Sequence, residues 1–342
     1  VNNHIQSILS AWLTDKESCN WAMASIVNIE GSSYRKLGAM MLINEEGNAL
    51  GMLSGGCLEA DIILKAQKSI FLNKPAKYVY EADEQAHDSI IKFLGCGGVI
   101  TILIQPLTVE NNFQDLENLH YELQRNKKSA YIIDSSLKQN NSAVCIQNQT
   151  FNKLKSINSE RHIFQYSSAT NLAIFGAGLD AIPMVNLAKI LGWNIYLVDH
   201  RKSHVSSKLF PAEVTRIKQE MVVGDPNCLA WLNRLDAAIV MGHNMKFDAY
   251  ALALLAKSET KYVGLLGPRH RTEKILADIK VEINYPLHNP IGLNIGTELP
   301  EEIALSAISE IQAVLNNKTN VLVSKPAYNQ NHFAEAEVRV KP

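Results

Sequence analysis

Leu172-Ala-Ile-Phe-Gly176-Ala-Gly178-Leu-Asp-Ala181 decides the fold class: an apolar strand runs into the pattern G-x-G-x-x-A, and the chain continues as a helix to about Leu191. Gly176 allows the tight turn, Gly178 lets backbone N–H groups approach a pyrophosphate at the helix N-terminus, and Ala181 lets helix pack closely on strand. Gly192 ends that helix, and Asp199 closes the next strand at the distance where a dinucleotide site needs an acid for ribose hydroxyls. Asp199 favours a free 2′-hydroxyl and Arg201 a 2′-phosphate, so NAD and NADP both stay open. The plainer reading keeps the glycines for packing alone. Working outward, β-like runs at Leu172 to Phe175, Ile195 to Val198, Ala237 to Val240 and Tyr262 to Leu266 alternate with helical stretches, the pattern of a doubly wound parallel sheet. The last helix starts at Pro300 with Glu301 and Glu302 in its first turn, and Ile303, Ala307, Ile311 and Val314 form its apolar stripe.

The 342 residues exceed the usual size of one domain, and a composition 46% hydrophobic and 20% charged supplies material for two cores. Thirty-three basic against thirty-four acidic residues leave a net charge of -1, which predicts no bulk attraction to nucleic acid or anionic membrane. Five cysteines at 19, 57, 96, 145 and 228 show neither C-x-x-C nor finger spacing, so reduced thiols are expected rather than a disulfide framework or structural zinc. With no basic-then-apolar leader pattern and no long apolar run, a cytoplasmic protein off the membrane is expected.

Before residue 169 the pattern is mixed α/β. A helix is predicted over residues 5 to 13, a strand buried on both faces at Trp21 to Ile29, and a β-hairpin between Gly38 and Ser54. A helix presenting Ala60, Ile63, Leu64, Ile70 and Phe71 follows, then strands at Lys77 to Ala82 and Val99 to Leu107. Short strands at Ala130 to Ile133, Ala143 to Ile146 and Ile163 to Tyr166 are assigned to the same sheet and a connecting segment. The predicted domains are therefore 1–168, 169–317 and a C-terminal extension at 318–342.

Three glycine-rich turns fall in that first domain: Gly31-Ser-Ser-Tyr-Arg35-Lys-Leu-Gly38, Leu53-Ser54-Gly55-Gly56-Cys57-Leu-Glu59 and Leu94-Gly95-Cys96-Gly97-Gly98. Such turns expose amide donors to anions, and Arg35 adds charge suited to phosphate. Cys57 near a helix N-terminus is a candidate reactive thiol, though Cys57 and Cys96 also read as small buried hydrophobes. Glu59 is a candidate proton carrier or a carboxylate favouring the helix dipole. In the second domain Met241-Gly-His243-Asn and Gly267-Pro-Arg269-His270-Arg271 end later strands, where open α/β sheets bind ligands. The three basic residues from Arg269 suit a phosphate or carboxylate, and His243 reads as a structural histidine before a general base. The histidine spacings predict no metal site.

Taken together, these stretches resemble the XdhC/CoxI family. The resemblance rests on the three glycine turns, with Gly38-Ala-Met-Met, on Phe175-Gly176-Ala177-Gly178, Val198-Asp199-His-Arg201 and Gly264-Leu-Leu-Gly267-Pro-Arg269, and on Pro290-Ile-Gly292-Leu-Asn-Ile-Gly296 leading into Pro300-Glu-Glu-Ile-Ala. Tyr34 stands where the family usually has proline, and Leu179 where it often has histidine. The resemblance implies an N-terminal XdhC/CoxI domain and a C-terminal Rossmann domain. It implies binding of molybdenum cofactor, as molybdopterin or its dinucleotide, and its transfer with sulfuration to a xanthine dehydrogenase-like molybdenum hydroxylase. A sulfur-donating enzyme and a homodimer are further implied partners. The candidate cofactor-binding residues are Arg35, Gly55, Gly56, Cys57, Glu59, Cys96, Gly176, Ala177, Gly178, Asp199, Arg201, His243 and Arg269. No catalytic dyad or triad is expected. An NAD(P)-dependent oxidoreductase, with His243 or His270 as acid or base, is the alternative, and a ligand-free scaffold the third reading.

Overall fold

The computed structural model describes residues 2–56, 58–81, 98–125, 128–145, 160–205, 208–218, 230–279 and 282–318. The chain divides into two compact units, Val1–Ala169 and Thr170–Pro342.

The first unit contains α1 (Ile5–Asp15), β1 (Trp21–Glu30), β2 (Met40–Asn44), β3 (Ala49–Gly51), α2 (Glu59–Leu72), β4 (Ala76–Tyr80) and β5 (Val99–Leu107). After these come α3 (Leu116–Arg125), β6 (Lys128–Asp134), β7 (Ser142–Cys145) and β8 (Arg161–Ser167). Its main sheet is antiparallel in the order β3-β2-β1-β5-β4. The period-two alternation of β1 builds two cores at once: Ala22, Ala24 and Ile26 join the apolar cluster under α2, while Trp21, Met23 and Val27 join the one that holds residues of α1 and α3. This is why Trp21–Val27 is buried throughout, as expected.

Three expectations need correction. The strands assigned to the first sheet after residue 128 form a sheet of their own, β7-β6-β8, because β6 pairs on both edges with β7 and β8. Helix α3 went unpredicted in a polar stretch, although Leu116, Leu119 and Leu123 line its buried face at helical spacing. In α2 the fully buried positions are Ile62, Ala66 and Ser69, whereas Leu64 and Phe71 face solvent. Ile63 and Ile70 of the predicted face do pack against the core, so that face is offset only in part, and the small Ala66 and Ser69 let the helix pack closely on the sheet. Ala82 and Ile146, the predicted ends of two strands, lie outside the described residues.

The second unit contains β9 (Asn171–Phe175), α4 (Ala181–Ile190), β10 (Asn194–Asp199), α5 (Lys202–Val205), β11 (Thr215–Lys218) and β12 (Ala237–Val240). It continues with α6 (Met245–Leu255), β13 (Tyr262–Leu265), α7 (Arg269–Asp278), β14 (Leu287–His288) and α8 (Pro300–Leu315). All strand pairs are parallel, in the order β11-β10-β9-β12-β13-β14. Numbered within the unit, that order is 3-2-1-4-5-6, the arrangement of Rossmann sheets, whose switch point lies between the first and fourth strands. Residues of α4 and α8 cover one face of the sheet with Leu172 and Ile174, and residues of α6 and α7 cover the other with Ala173 and Phe175. The fold is thus a mixed α/β domain followed by a doubly wound parallel sheet, as the sequence pattern predicts.

Candidate functional site

In the first unit, the loop from Gly31 to Gly38, the turn at Ser54 to Gly56 and Gly98 meet near the end of the main sheet where Glu30 of β1 pairs with Val99 of β5. The loop between β1 and β2 is anchored by Gly38 N–H donating to Ile26 O (2.9 Å), Ile26 N–H to Ala39 O (3.1 Å) and the Tyr166 hydroxyl to Gly38 O (2.5 Å). A side chain at Gly98 would place its Cβ 2.1 Å from Ser32 O, so only glycine lets the start of β5 back against this loop. On the other side, the Tyr34 ring packs against Gly55. Arg35 is half-buried, and among the described residues nothing pairs with its guanidinium.

The turn after β3 is shaped from within. Glu59, at the start of α2, accepts hydrogen bonds from the amides of Leu53 (3.1 Å), Ser54 (2.7 Å) and Gly56 (2.7 Å) and from the Ser54 hydroxyl, while Ser54 Oγ accepts from Leu58 N–H (2.8 Å). Part of the amide nest read from the glycines is therefore filled by the protein's own carboxylate, a bracing role beyond dipole complementarity. Gly56 nevertheless faces open space, with nothing within 4 Å of where a Cβ would stand. Burial works to raise the Glu59 pKa, but the hydrogen bonds from Ser54 and Gly56 outweigh it and hold the carboxyl below its ordinary 4.5. A depressed folded pKa means stability that is present above the ordinary value and lost as pH falls through the folded one. Glu59→Gln cannot accept from all four donors and is expected to lower stability by about 1–3 kcal/mol at pH 7. In urea titrations repeated toward pH 3, the gap from wild type should shrink; a gap that stays constant would show that the carboxylate charge is not what holds the turn. Cys57 and Cys96, both candidate residues, lie outside the described residues.

In the second unit, the loop after β9 is held by Gly176 N–H to Val198 O (2.8 Å) and by Ala177 N–H to Asp199 Oδ2 (2.7 Å). Asp199 also accepts from the Arg201 amide (2.7 Å), Nε (3.0 Å) and Nη2 (2.8 Å). Its acceptor sites face Ala177 and Arg201 rather than the crevice, and Arg201 is clamped in return. Burial raises the Asp199 pKa, but the Arg201 guanidinium and the two amides override it and keep the carboxyl below the ordinary range.

Asp180, which the motif reading passed over, folds across Gly178: a Cβ there would lie 2.4 Å from Asp180 Oδ1. Its Oδ2 stands 2.7 Å from His243 Nε2. His243 holds a positive φ of 54° and Asn244 caps α6, its Oδ1 accepting from Phe247 N–H at 3.1 Å. Nothing in the sequence links Asp180 to His243, which lies 63 positions away; only the crossing from β9 to β12 brings them together. Arg269 is exposed at the start of α7, whereas Arg271 pairs with the fully buried Asp248, which also accepts from Gly242 N–H (3.0 Å). The basic cluster from Arg269 is thus divided: Arg271 ties α7 to α6, and only its neighbours face solvent.

Comparison with known proteins covers both units. The description "XdhC and CoxI family" matches residues 15–81 and "XdhC Rossmann domain" matches residues 172–311. The chain is 29% identical over 335 residues to a protein of Bacillus subtilis (strain 168) described as a probable subunit of xanthine dehydrogenase, covering 90% of this chain and 96% of that protein. It is 24% identical over 298 residues to the molybdenum cofactor insertion chaperone PaoD of Escherichia coli (strain K12), covering 85% and 82% of the two chains. A crystal structure described as a xanthine dehydrogenase from Bacillus halodurans superposes with a TM-score of 0.75 at 26% identity, over 96% of this chain and 99% of that one. With the glycine turns of both units in place and matches running nearly the whole length, the chain belongs to the XdhC and CoxI family.

Proposed function

We propose that the protein is an accessory factor that binds molybdenum cofactor and delivers it, with sulfuration, to a xanthine dehydrogenase-type molybdenum hydroxylase. The observation that carries this reading is that the loop carrying Arg35 meets both Gly98 and Gly55 in the first unit, and that nothing among the described residues pairs with the Arg35 guanidinium. A half-buried guanidinium with no partner among the described residues suits a phosphate-bearing cargo. The relatives' names, which speak of a cofactor insertion chaperone and of xanthine dehydrogenase, point the same way. A handoff needs a binding surface and a partner but no fast chemistry of its own. The protein incubated anaerobically with molybdenum cofactor and passed through a sizing column is expected to retain it, with Arg35→Ala binding at least about tenfold more weakly, since a charge-assisted hydrogen bond contributes roughly 1.5–3 kcal/mol. Failure of the wild-type protein to retain the cofactor would overturn the reading.

A nucleotide in the second unit, with NAD(P)-dependent hydride transfer as its chemistry, is the second reading. The 3-2-1-4-5-6 strand order and the His243–Asp180 pair favour it. The Asp180 carboxylate over Gly178 opposes it, because like charges about 4 Å apart repel by on the order of 4 kcal/mol near a protein surface. Calorimetry with NAD, followed by turnover on a substrate panel, separates bound nucleotide from oxidoreductase.

A further inference from the structure

Tyr34 stands out in the first unit because it is a large aromatic side chain left 62% exposed while one side of its ring is held. The position a Cβ would take at Gly55 lies 3.2, 3.3 and 3.4 Å from three consecutive ring atoms, Cε1, Cζ and Cδ1. Near-equal distances to three neighbours arise only above the ring face, since an approach in the ring plane would leave two of them much farther away. The backbone of Gly55 therefore covers one face of the ring. Gly55 has a φ of 78°, the left-handed region, so the contact needs glycine for both space and conformation.

The exposure leaves the opposite face to solvent. Next along the chain is Arg35, whose guanidinium has no partner among the described residues, and across the turn Gly56 opens onto empty space. We infer that Tyr34 is a stacking platform for a planar, fused heterocycle whose anionic tail is held by Arg35. The inference rests on the proposed cofactor-binding reading and specifies which part of the cargo meets which residue. A ring already positioned by the glycine turn loses little freedom when a second ring covers it, and an aromatic face accepts a heterocycle without needing hydrogen bonds to its edge. A bare phosphate gains nothing from Tyr34, so ring and tail contribute separately.

The test measures anaerobic retention of molybdenum cofactor by the full chain in four forms: wild type, Tyr34→Phe, Tyr34→Leu and Tyr34→Ala. Tyr34→Phe should bind as wild type, and the other two about tenfold more weakly. Tyr34→Leu keeps an apolar cover on Gly55, so its loss is not attributable to an unsupported turn; matching urea midpoints for the four forms confirm folding. In competition, 6-hydroxymethylpterin should show a far lower inhibition constant against wild type than against Tyr34→Leu, while the inhibition constant of inorganic phosphate should be the same for both. Equal retention by wild type and Tyr34→Leu would overturn the platform and leave the cofactor-binding reading standing. No retention by wild type would overturn both.

Discussion

Gly176→Ala is expected to destabilise the protein by at least about 3 kcal/mol, a large share of the roughly 5–15 kcal/mol typical of a folded domain. Two independent effects add. Gly176 has a φ of 127°, a region essentially closed to side chains, and a Cβ there would sit 2.5 Å from Met241 O and 2.7 Å from its carbonyl carbon. Neither backbone atom has a rotamer to escape into, and Met241 is itself pinned by its N–H bond to Phe175 O (2.8 Å). Gly56→Ala serves as the comparison: its φ of 119° carries similar backbone strain, but nothing lies within 4 Å of the added atom. Urea unfolding should therefore show a clearly larger loss for Gly176→Ala. Equal losses would mean that the loops after β9 and β12 part easily and that close approach at the switch point is not a requirement of the fold.

Glu310→Ala is the second large effect. Glu310 is fully buried on α8, accepts from the Tyr262 hydroxyl (2.6 Å) and the Gly292 amide (2.8 Å), and lies 3.4 Å from Nδ1 of His288, which stacks on Tyr262 at 4.4 Å. Truncation leaves a buried hydroxyl and a buried amide without acceptors and a cavity beside them, at a cost of about 3–5 kcal/mol. The Tyr262 pKa is already pushed far up, by burial first and by the Glu310 carboxylate second, so the phenol remains a donor and cannot compensate by ionising. For a unit of this size the melting temperature should fall by roughly 10 °C, with Glu310→Gln losing less because its carbonyl still accepts one bond. An unchanged melting temperature for Glu310→Ala would show that β13, the loop through Gly292 and α8 are held together by apolar packing alone.

The doubly wound sheet is legible in the sequence because its decisive residues are consecutive: an apolar strand, two glycines and an alanine announce a turn whose geometry follows from local sterics. Two of its strands are not. β11 is four residues long and carries Arg216 and Lys218, and β14 is only two residues long, so neither shows a period that could be counted. The same distinction runs through the candidate sites. Glycines, Arg35 and the residues Ala177, Asp199 and Arg201 follow from local pattern, and the structure places the described ones in or beside the loops between strands and helices. Pairings that depend on chain crossing do not: Asp180 with His243, Asp248 with Arg271, and Ser32 against Gly98. Glu59 is visible as a candidate, but its role is hidden because the donors it satisfies belong to the turn assigned to a guest.

That internal carboxylate bears on kinetics. Any ligand settling on the turn around Gly55 meets a surface already in its final shape, so arrival requires no folding of the loop and proceeds at a rate set by encounter. It also meets a turn whose Leu53, Ser54 and Gly56 amides are already spoken for, so any hold on that ligand comes from the side chains beside the turn rather than from its backbone.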